Sequence, residues 1–286
     1  MENQVCLCLC VYNNAESLPY VLKNVDKINP VQVLVFYDKS TDNSLNILKE
    51  YQANQENKYE TGTCRIIINP QQQSKQKVEN IAYARNALLQ IIRTEFSHIP
   101  YFAMMDANNY SCIGDINMSI FYETMARDDW DAVSFDRTAG YYDYWALSYY
   151  PFIYSFFHFS NYEKVLEKHK TDFKKKLENY KTNKPDQLIT VTSAFNGFAI
   201  YKAPLFTNCS YSSDINIQMF PAHFLRENEN ITGEKIMKFK KGDCEHRKFH
   251  MEAILRNNAR IRICVKSLFE PFDKTTNPGM KHNGPC

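Results

Sequence analysis

Short apolar runs that alternate with helical segments constrain the fold of this chain more than any other feature of its sequence. The first run, VCLCLCV at residues 5–11, is continuous and β-prone, which is typical of a strand buried on both faces of a parallel sheet. Similar runs follow at 31–37, 65–68 and 101–105. Segments with apolar residues at helical spacing lie at 16–24, 44–51 and 78–93. This alternation predicts a doubly wound α/β sheet.

The second half of the sequence is less regular. It predicts helices at 116–127, 161–184 and 243–257, and strands at 132–135, within 188–201 and at 260–265. The segment 161–184 is rich in Lys and Glu, so we interpret it as a helical insertion with a solvated face; the alternative is a surface that holds an acidic partner. No linker divides the chain. Residues 1–272 are therefore expected to form one domain, followed by a loose tail at 273–286.

Composition excludes several classes of protein. Hydrophobic residues make up 44% of the 286 residues and charged residues 23%, which are ordinary values for a globular protein. The formal net charge is +2, so no nucleic-acid partner is expected. The chain has 8 glycines and no glycine-rich phosphate loop, which disfavours dehydrogenases and P-loop NTPases.

The cysteines indicate a reducing compartment. There are nine, with no CxxC pair, and Cys6, Cys8 and Cys10 share one strand face, where they make poor disulfide partners. We expect free thiols and a cytoplasmic location. No signal peptide or membrane span is apparent, because the run at 5–11 is too short to cross a bilayer.

Polar residues follow three of the predicted strands directly. Asn13, Asp38 and Asp106 each stand at the carboxyl end of a strand. In doubly wound sheets ligands bind outside these ends. The sequence therefore predicts a binding site at this edge of the sheet.

Four motifs together resemble a known family. They are VYNNAE at 11–16, YDKSTDNS at 37–44, AYARN at 82–86 and MDAN at 105–108. In this order and spacing they resemble the nucleotide-sugar-dependent glycosyltransferases of the GT-A fold, over about the first 110 residues. FNGF at 195–198 and DCEH at 243–246 match more loosely. The nearest resemblance is to capsid-glycan glycosyltransferases of large DNA viruses, in which case the cytoplasm would be that of the host cell.

The resemblance implies a mixed sheet flanked by helices, in a single domain with a helical insertion. Residues 1–110 would form its nucleotide-binding half and residues 111–272 its acceptor and sugar half. The implied reaction is transfer of a sugar from a UDP- or GDP-sugar to a glycan or protein-linked acceptor, with a divalent cation and inversion of the anomeric centre.

A metal site is expected at Asp106 and Asn108, because Mn2+ and Mg2+ take oxygen ligands and neutralise a departing diphosphate. The family usually has a second Asp where this chain has Asn108. His246 would complete the shell by resemblance to late histidines of GT-A enzymes, and His250 is the alternative, four residues on. The competing interpretation of Asp106 and Asn108 is a turn in which both bond their own backbone.

Donor contacts are assigned to polar and aromatic residues near the strand ends: Tyr12, Asn13, Asp38, Ser40, Arg85 and Asn86. Tyr12, Asn13 and Asp38 would recognise the base and ribose. Arg85 suits a diphosphate, although an internal salt bridge to Asp106 or Asp38 is the alternative. Ser40 also suits a cap for the helix that follows it.

An inverting transfer needs a base that deprotonates the acceptor hydroxyl. We choose Glu245 over Asp243, because Asp243 is the better helix cap. Asp143 and Trp145 are interpreted as donor-sugar or acceptor contacts, and core packing of Trp145 is the alternative. Two other functions stay open: a nucleotidyltransferase, and a non-catalytic module that binds carbohydrate or nucleotide.

Overall fold

The computed structural model describes residues 4–58, 64–71, 74–214, 221–237 and 242–272. Within these ranges eight strands form one sheet. In chain order they are β1 (Val5–Val11), β2 (Gln32–Tyr37), β3 (Cys64–Ile68), β4 (Tyr101–Asp106), β5 (Ala132–Asp136), β6 (Ile189–Val191), β7 (Phe198–Lys202) and β8 (Ile261–Ser267). The helices are α1 (Leu18–Ile28), α2 (Ser44–Lys58), α3 (Lys77–Glu95), α4 (Met118–Met125), α5 (Tyr162–Asn183), α6 (Ala203–Phe206), α7 (Ala222–Thr232) and α8 (Glu245–Asn257). The predicted tail at 273–286 lies outside the described residues.

The sheet is mixed, with the strand order β3-β2-β1-β4-β7-β5-β8-β6. β3, β2, β1 and β4 are parallel, as the alternating pattern predicts. β7 then lies antiparallel between β4 and β5, β8 runs parallel to β5, and β6 is an antiparallel edge strand. The predicted α/β class with a mixed sheet and flanking helices is confirmed.

β1 shows why the continuous apolar run forms a central strand. Val5, Leu7 and Leu9 face one apolar cluster, which includes residues of α1, α2 and α4. Cys6 and Cys8 face the other cluster, which includes residues of α3 and α8. Successive side chains of a strand point to opposite faces, so a strand between two helical layers needs apolar residues at every position. The cysteines act here as small buried apolar side chains, and the described ones are free thiols.

Several elements depart from their predicted bounds. The region 188–201 contains one strand on each side of Asn196 and Gly197, as predicted; these are β6 and β7, and they are not neighbours in the sheet. α7 was not predicted, because its sequence AHFLRENENIT is mostly polar. The helix predicted from 243 begins at Glu245, and its N-cap residue is Cys244 instead of Asp243.

The Lys- and Glu-rich helix α5 is not only a solvated insertion. Val165, His169, Phe173 and Leu177 recur at intervals of four residues along it and are buried. Phe173 and Leu177 belong to the apolar cluster that lies under α3 and α8. α5 therefore covers part of the core and turns its charged residues to solvent. None of the helices in the described ranges has the length and apolar character needed to cross a bilayer.

Candidate active site

The carboxyl ends of β1, β2 and β4 meet at one edge of the sheet. In the parallel register Cys10 lies beside Asp106, and Val11 lies beside Tyr37. Asn13, Asp38 and Asp106 follow or end these strands and therefore share this edge. The N–H group of Asp106 donates to the carbonyl of Gly197 at 2.8 Å, which brings the start of β7 to the same place.

Side-chain hydrogen bonds join the loops that follow β1 and β2. The Asn13 N–H donates to Ser40 Oγ at 3.0 Å, and the Thr41 N–H donates to Asn13 Oδ1 at 2.8 Å. The Ala15 N–H donates to Asp42 Oδ2 at 2.8 Å. Asn13, at φ +52°, and Ser40 were predicted as donor contacts, yet here they bond each other's loop. Their described role is to fix the shape of this edge.

Among the residues predicted to contact the sugar-nucleotide donor, Tyr12 and Asp38 each have a group that a ligand could contact. The Tyr12 ring is 49% exposed. Asp38 Oδ1 accepts from Asn69 Nδ2 at 2.8 Å and from the Lys39 N–H at 3.1 Å. Beside these loops lies an open groove of about 440 Å³, a size that suits a small ligand. It is lined by Asn13, Asn14, Ala15, Glu16, Ser17, Asp42, Asn108 and Asn109.

A buried ionic cluster stands next to this groove and is centred on Arg85, from α3. Its guanidinium donates through Nη1 to Glu245 Oε1 and to His246 Nε2, both on α8. Its Nη2 donates to Asp106 Oδ1 at 3.2 Å. The Arg85 side chain is 6% exposed and that of Asp106 is 26% exposed. The salt bridge to Asp106 that was weighed as an alternative for Arg85 is therefore present, and the guanidinium is too enclosed to be mainly a diphosphate contact.

Aromatic rings hold the guanidinium in place. Its central carbon lies 4.5 Å from the centroid of the Phe195 ring and 5.7 Å from that of Tyr211. The Phe195 ring also stacks on His246 at 4.1 Å. Such cation–π contacts are stronger in buried sites than at the surface. The sequence reasoning missed Phe195 and Tyr211 as site residues; FNGF at 195–198 was the only signal that pointed to Phe195.

Burial sets the charge of the groups around Arg85. It raises the pKa of Asp106 to about 6, against the attraction of Arg85. It lowers the pKa of His246 well below its usual value, and Arg85 beside the ring adds to this, so the imidazole is neutral. Burial also opposes the charge on Arg85, but Glu245 and Asp106 raise the pKa of the guanidinium above its usual range. Arg85 is thus a permanent cation.

Asn108 does not present an oxygen to a metal ion. Its Oδ1 accepts from the Tyr110 and Ser111 N–H groups, at 3.2 and 2.8 Å, and from Ser111 Oγ at 2.6 Å. Its Nδ2 donates to Asp106 Oδ2 at 3.1 Å. Asn108 therefore forms a turn in which backbone N–H groups donate to its amide oxygen, in place of the predicted contact with a metal ion.

Neither His246 nor His250 is placed to complete the coordination shell of a metal ion. His246 Nε2 faces Arg85, and its ring is 1% exposed. The alternative ligand His250 lies between Ser193 Oγ at 3.0 Å and the Tyr201 hydroxyl at 3.3 Å. Among the described residues, no three His, Cys, Asp or Glu side chains are arranged to share one metal ion. The residues predicted to hold Mn2+ or Mg2+ therefore do not fit that group, except for Asp106.

Asp143 lies near the cluster and interacts electrostatically with Asp106, Glu245 and Arg85. Its Oδ1 accepts from the Ala146 N–H at 3.2 Å and its Oδ2 from the Asn196 N–H at 3.3 Å. Burial raises its pKa to about 6, although these hydrogen bonds lower it and the nearby Glu245 carboxylate raises it further. The position agrees with a contact to a sugar hydroxyl, which stays a prediction.

The side chains of Trp145 and Asn86 have structural roles. The Trp145 ring is partly buried against the core and lies 6.0 Å from Phe157. The Asn86 amide donates to the Tyr211 carbonyl and accepts from the Tyr211 N–H, both at 2.8 Å. Both polar atoms of the Asn86 side chain are thus taken by the backbone of Tyr211. Asn86 fixes a site loop and is not placed as a donor contact.

The two candidate bases differ in what their oxygens already accept. Asp243 Oδ2 accepts from Arg247 Nε at 2.9 Å, and its Oδ1 accepts from the Cys244 N–H at 2.7 Å. Burial opposes ionisation of Asp243, but Arg247 holds its pKa below the usual range. Glu245 Oε1 is held by Arg85, whereas Oε2 meets only the Cys244 thiol, at 3.8 Å, within the described ranges. Within the described ranges, Glu245 therefore has an oxygen with no N–H donor, whereas both oxygens of Asp243 accept from N–H groups, which favours Glu245 as the base.

Comparison with protein families gives one match, which covers most of the chain. The family described as Glycosyl transferase family 2 matches residues 6–203. A search of curated proteins by sequence found no match. The described sheet, mixed and flanked by helices, has the architecture of the GT-A fold.

Solved structures give more distant likenesses. A mannosyltransferase from Pyrobaculum calidifontis, in complex with GDP-Man and Mn2+, is 14% identical with a TM-score of 0.41, over 82% of this chain and 54% of that one. TarS from S. aureus is 14% identical with a TM-score of 0.49, over 93% and 36%. Glucosyl-3-phosphoglycerate synthase from Mycobacterium tuberculosis, in complex with UDP, is 9% identical with a TM-score of 0.36, over 71% and 57%. The chain spans less than two thirds of each of these proteins.

Proposed function

Because this chain belongs to glycosyl transferase family 2, we propose that it transfers a sugar from a UDP- or GDP-sugar to a hydroxyl group of a glycan or protein-linked acceptor, with inversion of the anomeric centre. The narrower resemblance to capsid-glycan enzymes of large DNA viruses, and the cytoplasmic location, stay predictions. Two of the solved structures contain GDP-Man or UDP, which are a nucleotide sugar and a nucleoside diphosphate of this class.

One observation carries the proposal: Glu245 is a buried carboxylate with one oxygen held and the other available. Arg85 fixes Oε1, so the side chain has one orientation and its negative charge is stabilised. Arg85 also joins Glu245 to Asp106, at the end of β4. A carboxylate held in one orientation suits a general base, which must be positioned to take the proton that it removes.

The transfer then follows as a single displacement. Glu245 Oε2 takes the proton of the acceptor hydroxyl, and the hydroxyl oxygen forms a bond to the anomeric carbon. The bond from that carbon to the diphosphate oxygen breaks, and the nucleoside diphosphate leaves with the electron pair. Asp143, on the acceptor side, would accept a hydrogen bond from a sugar hydroxyl and fix the ring.

The nucleotide would lie over the loops after β1 and β2. The exposed Tyr12 ring offers a face for a base, and Asp38 offers a carboxylate oxygen for a ribose hydroxyl or a base N–H. Asn13 and Asn108 line the groove, and Asn108 Nδ2 donates to Asp106 Oδ2. Asn13 and Ser40 support the site by holding the two loops together.

Release of UDP or GDP from a panel of nucleotide sugars, with and without candidate acceptors, tests the proposal. We expect Glu245→Gln to lower the turnover number by about 10²- to 10⁴-fold, because the amide cannot accept the proton. Glu252→Gln on the same helix is the matched control. Glu252 pairs with Lys248 and Arg256 away from the cluster, so this variant should retain turnover.

Other results point to the competing functions. Tight nucleotide binding without turnover of any donor would favour a non-catalytic binding module. Equal turnover by wild type and the Glu245→Gln variant would exclude Glu245 as the base. Release of pyrophosphate from a nucleoside triphosphate would indicate a nucleotidyltransferase instead.

A further inference from the structure

We propose that Arg85 is the resident cation of this site and that the chain binds its donor diphosphate without a divalent metal ion. The inference rests on the proposed function for the identity of the donor. It starts from a disagreement: the sequence motif predicts a metal site, and the described side chains around Asp106 do not form one.

Three side chains converge on the guanidinium from two elements. Asp106 Oδ1 approaches from the end of β4, and Glu245 Oε1 and His246 Nε2 approach from the first turn of α8. Two carboxylate oxygens and an imidazole nitrogen are groups that could ligate a divalent cation. Arg85 occupies the point that they share. A divalent ion at that point would have to displace a buried guanidinium that carries the same sign of charge.

Arg85 is held too firmly to be displaced easily. It is 6% exposed, it packs over the Phe195 ring at 4.5 Å, and it has an ion pair on each side. Breaking a buried ion pair leaves an unpaired buried charge, which is strongly unfavourable. The remaining candidate ligand, Asn108, has its oxygen bonded to two backbone N–H groups and one hydroxyl. A metal ion would therefore have to rearrange Arg85 and the turn after β4 together.

Cationic side chains already offset the carboxylates of the site without a metal ion. Arg85 is paired with Asp106, and Lys77, the first residue of α3, acts electrostatically on the same carboxylate. A guanidinium that holds Asp106 and Glu245 in fixed positions is a positioning residue for the base and also lowers the negative potential of the site.

Titration of the wild-type protein with Mn2+ alone, followed by electron paramagnetic resonance, tests the proposal without any nucleotide. We expect no saturable binding up to about 1 mM Mn2+. Stoichiometric binding that is lost in the Asp106→Asn variant would overturn the proposal. Because no donor is present, this result is independent of whether the chain is a glycosyltransferase.

Removal of the guanidinium gives the opposite expectation. In Arg85→Ala the two carboxylates and the imidazole lose the cation between them. We expect these side chains to move together and bind one Mn2+, so that the electron paramagnetic resonance signal of free Mn2+ falls. Arg85→Lys retains a cation and should stay without Mn2+. An Arg85→Ala variant that is folded by circular dichroism but binds no Mn2+ would contradict the assignment. Should Arg85→Ala fail to fold, the wild-type and Asp106→Asn titrations decide.

Nucleotide affinity gives a third measurement. The dissociation constants of UDP and GDP should agree within about twofold in EDTA and in excess Mn2+. A tenfold or larger gain on adding Mn2+ would overturn the proposal. Absence of UDP and GDP binding under both conditions would contradict the proposed function. The Mn2+ titration would still test the role of Arg85.

Discussion

At the scale of single residues, Asp143 shows how burial controls charge in the site. It accepts two backbone hydrogen bonds, yet its surroundings raise its pKa from 3.8 to about 6. A raised pKa means that the folded state binds the proton more tightly than the unfolded chain does. The stability that Asp143 contributes is therefore fully present below pH 3.8 and is lost as the pH rises through about 6.

This gives a prediction for Asp143→Asn. The free energy of unfolding of wild type should fall relative to that of the variant between pH 4 and pH 7, by at most about 3 kcal/mol. The reason is that only wild type must ionise a buried carboxyl group. Urea unfolding at several pH values measures the difference. Parallel pH dependence of the two proteins would show that Asp143 titrates normally.

Asn108 illustrates what the sequence could not decide at this scale. Asp106 and Asn108 stand two residues apart, a spacing that suits both a metal site and a turn. Which one forms depends on whether backbone N–H groups reach the amide oxygen, and Tyr110 and Ser111 do reach it. The alternatives were visible in the sequence, but the backbone path that selects between them was not.

At the scale of elements, the junction before β7 holds the site together. Asn196, at φ +57°, accepts from the Tyr142 and Asp143 N–H groups. Gly197, at φ +88°, accepts from the Asp106 N–H at 2.8 Å. A Cβ atom on Gly197 would lie 2.5 Å from the Cβ of Ser111. Two residues thus join β4, β7 and the loop that carries Asp143, and glycine is needed for both its φ and its lack of a side chain.

We expect Gly197→Ala to lower the free energy of unfolding by about 2 to 4 kcal/mol, from the strained φ and the steric overlap combined. Gly140→Ala is the matched control, because Gly140 has φ +97° and no atom of the described residues beyond its chain neighbours lies within 4 Å of the place that a methyl group would take. The control should show only the φ penalty, about 1 kcal/mol. Chemical denaturation of both variants measures the difference, and equal losses would rule out a steric contribution at Gly197.

Periodicity was sufficient to predict the parallel elements of the first half. Apolar runs and helical spacing placed β1 to β4 and α1 to α3, because each element there buries a regular face. The helices and strands of the second half were harder to predict from the sequence. β7 enters the sheet between β4 and β5 and leaves no local trace of that order, and α7 has too few apolar residues to show a face. Arg85 was found as a motif residue, but two of its partners, Glu245 and His246, come from α8, and Glu245 lies 160 residues later in the chain.

At the scale of the whole molecule, one sheet joins the two predicted halves side by side. β4, from residues 1–110, pairs with β7, and the Arg85 cluster joins α3 to α8. One apolar cluster contains Cys8 and Leu88 together with Tyr201 and Phe249. The two predicted halves therefore share one sheet and one apolar cluster.

We expect the full chain to unfold in a single transition. Both tryptophans, Trp130 and Trp145, lie in the second half, so their fluorescence reports that half, whereas far-ultraviolet circular dichroism reports all helices. The two signals should give the same urea midpoint. A circular dichroism transition that precedes the fluorescence change would mean that residues 1–110 unfold separately.

The hydrogen bonds that join the loops after β1 and β2 bear on the speed of recognition. Asn13, Ala15, Ser40 and Asp42 fix these loops through side-chain bonds that form within the protein itself. A nucleotide that arrives there meets a surface already in its final shape. Association should then resemble rigid docking, limited by diffusion and orientation, and it should show no slow, concentration-independent phase in rapid-mixing experiments.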